Sequence, residues 1–209
     1  MAKLTRERIL DVARSHFARD GYRRASLVEI ARELGVVKGA LYYHVPGGKL
    51  ALFNAVMERE EQRMLAAMRR AARRARDPRE ALRAVFDARL EVLRDLKDLH
   101  GVRREIGEEI SALTLAQERS FRRRERDLIA EILEDGERRG VFAPRGPRRA
   151  VAAAIQAMIH ALTVPELFGR DDTAPGRARD RSGLRDAFFD LVLYGLETRE
   201  PDAAAQDAG

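Results

Sequence analysis

SLVEIARELGVVKGALYYHVPGGK, residues 26–49, decides the fold of this chain. Ser26 is a helix N-cap residue, and Glu29 three positions later completes a capping-box pattern. Ile30, Ala31 and Leu34 fall on one face, and Gly35 breaks the helix. A second short helix spans about 38–44. On a wheel of about 100° per residue, Leu41 and Val45 share the inward side. Gly39, Ala40 and Tyr43 fall opposite, flanked by Lys38, Tyr42 and His44. Two helices with a Gly-containing turn between them, after a first helix capped at Thr5 with Ile9, Val12, Ala13 and Phe17 inward, form the helix-turn-helix pattern. Asp20-Gly21 ends that first helix.

The exposed face of the 38–44 helix suits a DNA major groove. Small residues let the backbone approach base edges, and Tyr hydroxyls and imidazole N–H groups reach phosphate oxygens. Charge points the same way. Residues 1–49 hold ten Lys/Arg and five acids, so this quarter of the chain carries +5 of the total +6. A basic head on a near-neutral body favours a polyanion partner.

The remainder reads as helix throughout, rich in Ala, Leu, Arg and Glu. Helices are expected over about 49–76, 78–97, 102–112, 115–139, 147–163 and 184–198, with a bend or break at Pro165. A polar loop over 169–182 and a disordered tail over 201–209 complete the reading. The expected fold is all-α with about nine helices: a three-helix head, 1–48, and a helical body, 49–200. With 45% hydrophobic residues the chain can bury a core, and with no cysteine it has no disulfide or thiolate chemistry. No signal region or long apolar run occurs, which points to a cytoplasmic protein without a membrane span. Scattered histidines and the absence of Glu-x-x-His, GxGxxG, Walker or GxSxG patterns argue against an enzyme; no metal or cofactor is expected.

Residues 5–56 resemble the DNA-binding domain of the tetracycline-repressor (TetR) family. The matching residues are Ile9, Ala13, Phe17, Gly21-Tyr22, Ser26, Ile30-Ala31, Leu34-Gly35-Val36, Lys38-Gly39, Leu41-Tyr42, His44, Lys49, Leu52 and Phe53. The resemblance implies a homodimer that sets its third helix in the major groove of a palindromic double-stranded operator. It also implies a body that binds a small molecule and dimerises through its last two helices. Ser26, Lys38, Gly39, Ala40, Tyr42, Tyr43, His44 and Lys49 inherit DNA-contact roles; Lys49 would use the N-terminus of the fourth helix beside a phosphate. The chain departs from the pattern at Val37, where Ser or Thr caps the helix, at Val45, at Leu50, in an extra glycine before Lys49, and at His16 on the apolar face. His16 is read as partly buried with a backbone partner.

In the body, Ile155, Leu162, Phe188, Leu191 and Val192 are candidates for a dimer interface of four helices. Candidate ligand-lining residues are Phe86, Leu90, Leu93, Ile106, Ile110, Leu113, Phe121, Leu128, Met158 and Ile159, with Glu109 and His160 as polar groups in apolar surroundings. The effector expected is a small apolar or amphipathic molecule, and the expected role is that of a repressor. A second reading is an all-helical interaction protein whose basic head meets acidic partners; a third is a family member that activates or takes no ligand.

Overall fold

A computed structural model of the protein describes residues 4–96, 112–168 and 178–197. Among these residues it holds eight helices and no strand beyond one isolated bridge, Phe142 with Glu197. The helices are α1 (Arg6–Arg24), α2 (Leu27–Leu34), α3 (Lys38–His44), α4 (Gly48–Arg74), α5 (Pro78–Asp95), α6 (Ala112–Arg138), α7 (Arg148–Phe168) and α8 (Ala178–Leu196). The helix expected over 102–112 and the tail lie outside the described residues. No helix among the described residues is long and apolar enough to cross a membrane. The chain divides into two compact units, Met1–Ala66 with Arg89–Arg122, and Ala67–Ala88 with Arg123–Gly209.

In the first unit, Thr5 caps α1 by accepting the Arg8 N–H at 3.3 Å. Ile9, Leu10, Ala13 and Phe17 are fully buried along its inner stripe. Gly21, at φ 76° and ψ 170°, ends the regular helix and turns Tyr22 inward. There Phe17, Tyr22 and Phe53 of α4 form a ring cluster, with Phe17 edge-on to Phe53 at 5.2 Å. Ser26 caps α2 through the Val28 N–H at 3.3 Å. The reciprocal half of the expected capping box does not form; Glu29 instead lies beside His16 and Asp20. Gly35 closes α2 in the left-handed region, φ 73°, with the Val36 N–H returning to Ala31 O at 2.9 Å. Leu41 and Val45 bury the inner side of α3 as the wheel predicts. Gly47 and Gly48 both have positive φ, 102° and 77°, which explains the extra glycine in this turn.

His16 corrects the sequence reading. It is 3% exposed, and its partners are side chains: Glu33 Oε2 lies 2.8 Å from Nε2 and Arg19 Nη2 lies 3.1 Å from Nδ1. Since Arg19 can only donate, Nδ1 accepts and Nε2–H donates to Glu33. This bond ties α1 to α2.

The second unit packs Leu128, Ile129, Ile132 and Leu133 of α6 with Ala152, Ile155 and Ile159 of α7 as its apolar stripe residues. Phe86 of α5 meets Phe189 of α8 edge-on at 5.4 Å. Glu125, 1% exposed, accepts hydrogen bonds from Gln156 and His160, each at 2.7 Å. Gly136 leaves room for the Phe142 ring, which a Cβ would strike. Two expectations need correction here. The helix of 147–163 does not break at Pro165 but continues to Phe168. Proline costs the helix one N–H and its bond to the Ala161 carbonyl, and the helix continues past that single loss. The last helix starts at Ala178, so its first turns take residues read as loop.

Two helix starts carry predictions. Asp77 caps α5 by accepting the Glu80 N–H at 2.9 Å, and this bond first of all holds its carboxyl below the usual carboxylate range. A depressed folded pKa stabilises above the unfolded value, about 3.9, and the contribution is lost as pH falls through the folded value. Asp77→Ala should cost about 0.5–2 kcal/mol at neutral pH. The gap in melting temperature from the parent should narrow as pH falls through the folded value. Val37 starts α3 with no side-chain cap bond and is 75% exposed. Val37→Ser should therefore gain about 0.5–2 kcal/mol and raise the melting temperature.

Candidate nucleic-acid interface

The outer face of α3 has few internal obligations. Tyr43 is 86% exposed, Lys38 and Gly39 are exposed, and Ala40 and His44 are half-buried. A Cβ placed on Gly39 would meet nothing within 4 Å. The glycine is thus not required by the protein's own packing, although it costs a helix about 1 kcal/mol relative to alanine. What it leaves room for lies outside the chain. The Lys38 ammonium sits 5.6 Å from the Tyr42 ring centre, and the Tyr43 ring stands edge-on to His44 at 5.6 Å. Aromatic hydrogen-bonders are thereby splayed along one side of a short helix with a cation at its start.

Two of the residues assigned DNA contacts have their polar atoms engaged within the protein. The Ser26 hydroxyl accepts the Val28 N–H as a cap. Lys49 Nζ donates to the carbonyls of Arg23 at 3.1 Å and Ala25 at 3.2 Å, and lies 4.7 Å from the Tyr22 ring centre. It fastens the end of α1 to the start of α4. Beside α2, His16, Asp20 and Glu29 bring possible ligand atoms within 4.8 Å of one another. The Arg19 guanidinium already occupies this group, bonding His16 and Asp20 and holding Asp20 below the usual carboxylate range.

The junction of α1 and α4 contains charges that the sequence reading missed. Arg59 of α4 is buried, donating to Asp11 at 2.7 Å, to the Glu7 carbonyl at 3.2 Å and to Glu60 at 3.1 Å. Glu60, also buried, takes Arg63 at 3.1 Å and faces Arg14 at 3.7 Å.

The body residues scatter. Leu90 and Phe121 are buried in the first unit, and Phe86 and Ile159 in the second. His160 is bonded to Glu125, and Met158 is 41% exposed. Leu113 belongs to α6 by its backbone, while Ile106, Glu109 and Ile110 fall outside the described residues. Of the dimer candidates, Ile155, Phe188 and Val192 fill the protomer's own core, Leu162 is half-buried and Leu191 is 75% exposed. Tyr194, 67% exposed on the same helix, was missed; its spacing of three from Leu191 is the signal that marks it.

The sequence profile of bacterial regulatory proteins, tetR family, matches residues 9–56. An uncharacterized HTH-type transcriptional regulator, TtgW, of Pseudomonas putida is 46% identical over 56 residues, 27% of this chain and 41% of that protein. The HTH-type transcriptional activator FasR of Mycolicibacterium smegmatis is 37% identical over 83 residues, 40% of this chain and 37% of FasR. This chain therefore matches less than half the length of either relative. Among solved structures, the TetR family transcriptional regulator PfmR from Thermus thermophilus is similar with a TM-score of 0.62 at 25% identity, over 91% of this chain and all of PfmR. The regulator FadR of Bacillus subtilis in complex with stearoyl-CoA shares the fold with a TM-score of 0.71 at 16% identity, over 91% of this chain and 99% of that one. A regulator from Saccharomonospora viridis in complex with choline does so with a TM-score of 0.72 at 22% identity, over 93% and 98%. The head of this chain, residues 9–56, thus matches the tetR family of bacterial regulatory proteins, and the whole chain is similar in fold to that family's regulator PfmR.

Proposed function

We propose that the protein is a dimeric repressor that sets the outer face of α3 in successive major grooves of a palindromic operator and is released by a small amphipathic molecule. Residues 1–48 are the DNA-binding head, and 49–200 the ligand-binding and dimerisation body. The observation that carries this reading is the outer face of α3, where an internally unnecessary glycine adjoins exposed tyrosines. Lys38, Gly39, Ala40, Tyr42, Tyr43 and His44 meet the DNA, and Ser26 and Lys49 hold the frame. The solved neighbours with stearoyl-CoA and with choline support a ligand in the body. The identity to FasR, an activator, favours a second reading in which the same DNA binding recruits transcription rather than blocking it.

Dimerisation is assigned to α7 and α8. Leu191, Tyr194 and Met158 are exposed apolar residues there, and Ala154, Ala157 and Ala161 are exposed small ones. Small residues let a second copy approach closely, giving a two-fold four-helix contact. Two heads must then meet half-sites about 34–36 Å apart. A ligand acts only by its different affinity for shapes that do and do not allow that spacing.

Selection from a random DNA pool at two salt concentrations should enrich a palindrome, with binding that weakens steeply as salt rises. A pool with no enriched sequence would sink the reading. Leu191→Arg should give a folded monomer by sedimentation, with operator affinity lost. Tyr43→Ala should weaken operator binding roughly tenfold or more, with unchanged melting temperature and salt slope. Lys49→Ala should lower the melting temperature and leave the salt slope unchanged; a slope smaller by about 1 would make Lys49 a phosphate contact instead.

A further inference from the structure

The second unit contains a half-open cleft of about 470 Å³, between the last turns of α4, the start of α5 and the later half of α6. That volume is in the range of small-molecule sites. Ala72, Pro78, Ala81, Leu128 and Ile132 give it an apolar floor. Among the residues proposed from sequence as lining a pocket, only Leu128 lies here.

The rim carries three arginines and three acids, Arg69, Arg73, Arg139, Asp77, Glu131 and Asp135. Most are committed. Asp77 is bound to the Glu80 N–H, and Asp135 accepts from Arg138 and Arg139. Arg139 also donates to the Arg76 carbonyl at 3.1 Å. Arg69 and Arg73 make no hydrogen bond or ion pair among the described residues, and Glu131 makes none either. The arginines stand one turn apart on α4, so their forks project into the same opening and repel each other when it is empty. The α4 dipole accounts for a basic last turn, which holds Arg73 and Arg74. Arg69 stands a turn earlier, over the cleft.

We propose that this cleft binds a small amphipathic carboxylate, its head held between the guanidinium groups of Arg69 and Arg73 and its short alkyl chain on the apolar floor. The planar fork of arginine matches a carboxylate's two oxygens. The facing Glu131 favours a singly charged head over a doubly charged phosphate. The proposal gives the effector of the regulator a chemical class; it rests on that reading only for any consequence on DNA, and its test uses none.

The full chain is titrated with octanoate, octylammonium and 1-octanol, by calorimetry and melting temperature. Octanoate should bind and stabilise, while the other two should not. Arg69→Ala with Arg73→Ala should weaken octanoate about tenfold for each arginine lost, leaving the unliganded melting temperature unchanged. Both arginines are exposed and alanine favours the helix. Ala72→Phe, which fills the floor and leaves both arginines in place, should also abolish binding. Equal binding of octylammonium or 1-octanol, retention of octanoate by the double variant, or no octanoate binding to the folded parent would each overturn the assignment.

Discussion

A guanidinium withdrawn from water cannot shed its charge, so Arg59 must be met by acceptors or the helices around it cannot close. It is met by Asp11 and the Glu7 carbonyl from α1 and by Glu60 beside it on α4. One oxygen of Glu60 serves Arg59 and Arg63 and faces Arg14. The acceptors share the charge, so each covers part of the guanidinium and none carries it alone. Apolar packing of Phe17, Tyr22 and Phe53 supplies burial at the same junction, but it is non-directional. The polar lattice adds direction: it fixes where α1 lies along α4.

That fixity matters because α3 is weak as a helix. It has seven residues, an uncapped valine start and a glycine in its first turn. Helices this short are marginal in water. Its conformation is borrowed from Leu41 and Val45 below, from the Gly35 turn before, and from the paired glycines after. Lys49 and His16 extend the same logic. Each ties two segments of the head through bonds that α3 cannot make for itself, one to carbonyls at the end of α1 and one from α1 to Glu33 of α2. The reading face can then be chosen for an outside surface rather than for helix stability.

Local chemistry made much of this legible. The caps at Thr5 and Ser26 and the inward pair Leu41 and Val45 follow from neighbours within a few residues, and the structure agrees. What was not legible depends on partners far along the chain. Arg59 falls in register with Leu52 and Val56, a core phase that could have marked it, yet an arginine there reads as a solvated charge until α1 arrives. His16 was given a backbone partner because no sequence rule supplies Glu33 seventeen residues on. The bonds of Lys49 within the head were not legible, because its two acceptors are carbonyls that only the α1 turn presents. Pro165 fails as a stop for a related reason, since a proline deletes one bond and tertiary context decides whether the helix survives it.

The two ends of α4 now carry different chemistry on one continuous helix, Gly48–Arg74. The N-terminal half is clamped by the Arg59 lattice and begins where the recognition turn ends. The C-terminal turns carry Arg69 and Arg73, two like charges without ion-pair partners among the described residues. Repulsion between them favours shapes that separate them, and a bound carboxylate favours shapes that hold them together. Such a ligand has different affinities for the two sets of shapes, the sole condition under which binding can shift an equilibrium. A neutral ligand on the same apolar floor would leave the repulsion in place. The charge of the ligand's head, more than its alkyl chain, is therefore what gives it purchase on the shape of α4.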